Sequence, residues 1–120
     1  WPNVTYHPDV SDAELQRLIA SSSVAFLPLQ KLAGSNALLE CLAGGLPVVM
    51  SDVNAGEWAN AAPEAVRRFR ADDAEEGVPR VREQLAGTGL AERALCVEIA
   101  KTYSWPQVAA RTHELFESLL

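Results

Sequence analysis

The stretch Ser35-Asn36-Ala37-Leu38-Leu39-Glu40-Cys41-Leu42-Ala43-Gly44-Gly45-Leu46-Pro47-Val48-Val49 decides the fold of this chain. Ser35 is a favourable N-cap residue, so the stretch predicts a helix from Ser35 through Ala43. The two glycines that follow predict a left-handed stop. The apolar residues after them predict a buried strand over 46–50. A capped helix, a glycine stop and a buried strand are together typical of one repeat of a parallel α/β sheet.

Strand and helix patterns alternate on both sides of this stretch. Ser11 and Glu14 have the spacing of a capping box, and apolar residues follow at helical spacing. Ser104 is predicted to cap the last helix, and Trp105 to anchor it. Strands are predicted over 3–7, 24–27, 46–50 and 66–70, and helices after Ser11, from Ser35, from 72–73 to about Leu85, over 90–102 and over 106–119. The strands are apolar on both faces, so the chain is predicted to form one α/β, Rossmann-like domain with a parallel sheet covered by helices.

Composition excludes several classes of function. The net charge is −6, and no basic stripe is present that would release counterions from DNA, RNA or an anionic membrane surface. Cys41 and Cys96 lack metal-ligand spacing, so we expect two reduced, buried thiols. No other residues have the pattern of a metal site, and we expect neither a bound metal nor a cofactor. The sequence has no apolar run of about 18 residues and no signal peptide, from which we expect a cytoplasmic location.

The start of the Ser35 helix carries the chemistry. The first turn of a helix leaves backbone N–H groups unpaired at the positive end of the helix dipole. Gly34 permits close approach of a ligand, and the amides of Ser35, Asn36 and Ala37 form a cradle for a phosphate. Glu40 follows about one and a half turns later and offers two oxygen acceptors for the hydroxyls of a ribose. The alternatives are a Ser35 that only caps the helix and a Glu40 that only meets solvent.

Four segments resemble the second half of the nucleotide-binding C-terminal domain of GT-B fold retaining glycosyltransferases, group 1 or family 4. The segment 38–49 resembles the family's "llEAmAcGlPVV" motif almost residue for residue, and the weaker matches are 3–15, 24–28 and 103–109. The resemblance implies transfer of a sugar from a nucleotide-sugar donor to an acceptor with retention of configuration. It also implies that no bound metal is needed.

The resemblance assigns roles at four positions and leaves a fifth, Leu32, open. Glu40 matches the family's ribose-binding glutamate, and the amides of Ser35, Asn36 and Ala37 fall where the family binds the diphosphate. Leu32 stands where the family has a glutamate that contacts the donor sugar. Either this is a variant subfamily, or the sugar contact has moved, or catalysis is lost, so no catalytic residue is assigned. The alternative functions are a non-catalytic binding module of this fold and a nucleotide-sugar epimerase.

The sequence is also expected to be a fragment, because it starts at Trp1 immediately before a predicted strand. In the family, an arginine and a lysine on earlier strands clamp the diphosphate, and an N-terminal domain binds the sugar or lipid acceptor. We therefore expect the fragment to be inactive alone and its parent to act in the cytoplasm or at the inner membrane surface. Missing strands between 3–7 and 24–27 would leave a gap, which we expect to close by re-pairing or by dimerisation through strand 24–27.

Overall fold

The computed structural model describes residues 2–30, 36–53 and 62–120. Within these ranges the chain forms five helices and three strands. They are, in chain order, α1 (Asp12–Ser21), β1 (Ala25–Leu27), α2 (Asn36–Ala43), β2 (Val48–Ser51), β3 (Val66–Phe69), α3 (Ala74–Gly87), α4 (Leu90–Lys101) and α5 (Trp105–Ser118).

The three strands form a parallel sheet in the order β1-β2-β3. Phe26 of β1 lies opposite Val49 of β2, which lies opposite Arg67 of β3. Every residue of the central strand β2 is buried. A parallel sheet with a strand buried on both faces confirms the predicted α/β, Rossmann-like architecture.

Helices cover both faces of the sheet. On one face, α2 packs against β2 and α4 packs against α2. The main core lies here and combines α1, α2, α4 and the alternate residues of the strands, including Ile19, Leu38, Cys41, Leu42, Leu46, Val48, Met50, Val66 and Cys96. Both cysteines are buried and not disulfide-bonded, as predicted.

The opposite face is covered by α3. The rings of Phe26 and Phe69 stack with their centroids 5.3 Å apart, and Gly77 of α3 lies directly over Phe26. Gln84 is fully buried and donates to the backbone oxygen of Glu64 at 2.7 Å. Arg67 leaves the sheet on this face and pairs with Glu83 of α3 at 3.0 Å. Together these contacts hold α3 across β2 and β3.

The predicted strand over 3–7 is wrong. These residues have no regular structure and are exposed, and Asp9 just beyond them adopts a left-handed φ of 51°. An alternating run becomes a strand only when a neighbouring strand pairs with its backbone groups, and no described strand lies beside this segment. The sheet that does form is contiguous in chain order, so it contains no gap to close by re-pairing.

The last helix differs from prediction in its packing. Ser104 occupies the N-cap position without a side-chain hydrogen bond, and α5 contains no buried residue. Trp105 is 85% exposed and therefore does not anchor the helix, contrary to the prediction. Hydrophobic periodicity indicates that a helix has an apolar face, but it does not indicate whether that face packs against another element.

Candidate functional site

The site predicted from the sequence lies where β1 leads into α2. In a parallel sheet, this connection lies at the carboxyl edge of the strands, which is where ligands bind in open α/β folds. The Ser51 hydroxyl at the end of β2 donates to the backbone oxygen of Leu29, which ties the start of this connection to the sheet. Asn36 and Ala37 form the exposed first turn of α2. Gly34, Ser35 and Leu32 lie outside the described residues.

Glu40 projects away from the core. Its neighbours Leu38, Cys41 and Leu42 are buried against the sheet and α4, whereas Glu40 is exposed. Glu40 lines a cleft of about 520 Å³ between α1 and α2. A cleft of this volume falls within the range of small-molecule sites.

The cleft is closed at one end and polar on both walls. Ile19 of α1 and Gly44 after α2 are in close contact, so the two helices meet there. From this contact the cleft extends along α1 past Gln16 to Asp12 and along α2 to Glu40. The side chains of Asp12, Gln16 and Glu40 make no hydrogen bond or ion pair within the described parts of the chain.

Sequence reasoning missed Asp12 and Gln16. Asp12 lies inside the capping-box stretch 11–14, and Gln16 lies in the helix that follows, so neither stands out as a site residue from the sequence pattern. The available signal was their spacing, since residues four apart share one face of a helix with the apolar Leu15 and Ile19. That spacing shows that Asp12 and Gln16 lie on one face of α1. Only the packing of α1 beside α2 places this face on the same cleft as Glu40.

Neither cysteine is suited to nucleophilic chemistry. Burial, followed by the nearby charge of Glu40, raises the pKa of the Cys41 thiol. Burial raises the pKa of Cys96 to about 11. A thiol is nucleophilic as the thiolate, so both groups are neutral and unreactive at neutral pH.

The described residues contain no cluster of three or more side chains able to hold a metal ion. His113 lies on the exposed α5, 3.2 Å from Glu117 one turn later and away from the cleft. None of the helices in the described ranges is long and apolar enough to cross a membrane.

Comparison with known proteins identifies the family. No curated protein sequence matches the chain. The family described as glycosyl transferases, group 1, matches residues 1–86. The match includes α1, α2 and all three strands, so the cleft and Glu40 lie inside it. The chain therefore belongs to the group 1 glycosyl transferases.

Proposed function

We propose that this chain is the donor-binding part of a retaining, GT-B type hexosyltransferase. The observation that carries the proposal is Glu40, which lines the cleft between α1 and α2 within the family match and whose side chain has no partner among the described residues. The family membership supports a transferase, and the cleft supports a role in binding its donor.

In this proposal Glu40 binds the ribose of the nucleotide-sugar. The side chain of Glu40 makes no described hydrogen bond or ion pair, and its neighbours on both sides carry the packing of α2. A carboxylate offers two oxygens that accept from two adjacent hydroxyls in a bidentate manner. A ribose presents such a pair, so the charge and position of Glu40 suit this part of the donor.

The diphosphate is proposed to bind at the first turn of α2. Asn36 and Ala37 are exposed, and their amides lie at the positive end of the helix dipole, with Gly34 and Ser35 immediately before them in the sequence. These donors would stabilise the charge that develops on the leaving diphosphate, as an oxyanion hole does. No resident metal or cofactor is part of the proposal. The acceptor, a sugar or a lipid, would bind on an N-terminal domain outside this sequence.

Leu32 favours a second candidate function. Where this chain has Leu32, the resemblance to the family predicts a glutamate that contacts the donor sugar, and a leucine accepts no hydrogen bond. A non-catalytic module that binds a nucleotide would keep Glu40 and tolerate Leu32. Turnover of candidate nucleotide-sugars by the longer protein separates the two functions, because only the enzyme releases the nucleotide diphosphate and transfers the sugar.

The test of donor binding is an NMR titration of the chain with UDP, GDP and ADP. We expect amide shifts over 36–40 for at least one nucleotide. Glu40→Gln keeps one acceptor oxygen but loses the charge, so we expect binding at least about tenfold weaker, since charged hydrogen bonds contribute roughly 1.5–3 kcal/mol.

The matched control is Glu75→Gln, on the exposed first turn of α3 and away from the cleft. It removes the same charge and should leave the affinity unchanged. Equal affinities of the Glu40→Gln and unsubstituted chains would contradict the role of Glu40.

A further inference from the structure

The cleft between α1 and α2 has polar side chains at two different distances from its closed end. Ile19 and Gly44 mark its closed end. Asp12 lies seven residues before Ile19, which places it roughly 10 Å along α1 at 1.5 Å per residue. Glu40 lies four residues before Gly44, which places it roughly 6 Å along α2. The two carboxylates thus stand on opposite walls at staggered positions, with the aliphatic side chain of Leu15 between Asp12 and the closed end.

The charge of the cleft selects the part of a nucleotide that enters it. Asp12 and Glu40 are acidic, and none of the described residues that line the cleft is basic. An anion is repelled there, whereas an uncharged group that donates hydrogen bonds is attracted. The cleft therefore suits the nucleoside, while the diphosphate stays outside at the first turn of α2, one turn before Glu40.

A nucleoside has donors at both of its ends. The sugar hydroxyls lie at one end and the hydrogen-bonding edge of the base at the other. With the ribose on Glu40, the base extends along α1 over Leu15, and its edge reaches the face that carries Asp12 and Gln16. Leu15 supplies the apolar surface on which the flat face of the base rests.

Asp12 discriminates between bases because a carboxylate only accepts hydrogen bonds. Guanine presents two adjacent donors, the ring N1–H and the exocyclic N2 amino group, which match the two oxygens of a carboxylate. Uracil flanks its single N3–H with two carbonyl oxygens, and adenine places a ring acceptor beside its amino group. In uracil and in adenine, an acceptor atom would therefore face one of the carboxylate oxygens, and the two lone pairs would repel each other.

Gln16 completes the match to guanine. It stands one turn after Asp12 on the same face of α1, and its amide nitrogen can donate to the O6 acceptor of the base. We infer that Asp12 and Gln16 read the edge of guanine, and that the donor is a guanosine-diphosphate sugar. This inference rests on the proposed function, because it takes Glu40 as the ribose ligand.

The experiment measures the affinity of the chain for guanosine, uridine and adenosine by NMR titration. Uncharged nucleosides are used because they test the cleft without the diphosphate site. We expect guanosine to bind at least about fivefold more tightly than the other two, since a good bidentate contact to a base discriminates by roughly 5- to 150-fold. In Asp12→Asn, guanosine should lose this advantage while uridine and adenosine change little.

Two controls accompany the variant. Asp12 is also an acidic residue in the first turn of α1, where it favours the helix dipole. Glu75→Gln removes a first-turn charge from α3 instead and should leave the preference for guanosine intact. Far-UV circular dichroism shows whether Asp12→Asn keeps the helical content of the unsubstituted chain.

The outcomes separate this inference from the proposed function. Equal affinity for all three nucleosides, or a guanosine preference that survives Asp12→Asn, overturns the assignment of guanine. If Glu40→Gln still weakens binding in that case, the proposed donor site stands. If no nucleoside binds and Glu40→Gln does not alter the binding of GDP or UDP, both the inference and the proposed function are overturned.

Discussion

Gly44 and Gly45 are adjacent, but each is required for a different physical reason. Gly45 has a φ of 71° and ends α2 in the left-handed conformation, as predicted for the glycine pair. Gly44 does not adopt a left-handed φ; it is required because the side chain of Ile19 packs against its backbone. A side chain at Gly44 would push α1 away from α2 and open the closed end of the cleft.

Substitution of Gly44 tests this contact. A Cβ at position 44 would collide with Cγ2 of Ile19, a stiff and buried side chain, so we expect Gly44→Ala to destabilise the protein by about 1–3 kcal/mol. Gly87→Ala is the control, because no atom lies within 4 Å of a Cβ placed there at the end of α3. Chemical denaturation measures both variants, and equal stabilities would contradict the steric role of Gly44.

At the scale of elements, α4 holds the ends of α1 and α2 together. The guanidinium of Arg93 donates to the backbone oxygen of Ser22 at 3.0 Å and to that of Gly45 at 3.4 Å. Ser22 is the C-cap of α1, and Gly45 follows the end of α2. A cation at the negative ends of two helices is favourable, and here it also sets how the helices that form the cleft lie side by side.

Removal of Arg93 should weaken this arrangement. We expect Arg93→Ala to lower the free energy of unfolding by about 1–3 kcal/mol, because two backbone oxygens lose a charged donor. Arg82→Ala, an exposed position on α3 with no described partner, should change it by less than about 0.5 kcal/mol. Thermal or urea unfolding of the two variants makes the comparison, and similar losses in both would refute the role of Arg93.

At the scale of the whole molecule, α5 extends away from the sheet and its helices. The molecule measures 60 Å in its long dimension against 32 and 30 Å in the others. The apolar side chains of α5 and its C-cap residue form an exposed stripe, which includes Trp105, Val108, Leu115, Phe116 and Leu119. Among the described strands β1 pairs with β2 alone, so it is an edge of the sheet, and dimerisation through β1 stays a prediction.

Truncation of two apolar side chains measures how much α5 contributes. Leu42 of α2 is fully buried, so Leu42→Ala should cost about 2–5 kcal/mol. Trp105→Ala removes a larger but exposed side chain and should change the stability by less than about 0.5 kcal/mol. A loss above about 1 kcal/mol in Trp105→Ala would show that α5 packs against the protein or another copy in solution.

The candidate site could be proposed in part from the sequence. Glu40, Asn36 and Ala37 could be chosen from the sequence because their positions follow from one helix and its start. The burial of the neighbours of Glu40 also followed from the apolar positions of that helix. Asp12 and Gln16 could not be chosen in the same way, because their relation to Glu40 depends on two helices that are separated by a strand. The placement of Gly34, Ser35 and Leu32 lies outside the described residues.

The sequence by itself determined the elements that are governed by local interactions. The cap at Ser11, the stop after Ala43 and the apolar runs of β1 and β2 act within a few residues, and all were predictable. Only the tertiary structure decided that 3–7 finds no strand partner, that α5 stays unpacked, and that Asp12 and Gln16 share a cleft with Glu40. These outcomes depend on which surfaces of the protein pack together. A periodic pattern indicates whether one face of an element is apolar or polar, but it does not indicate which other element contacts that face.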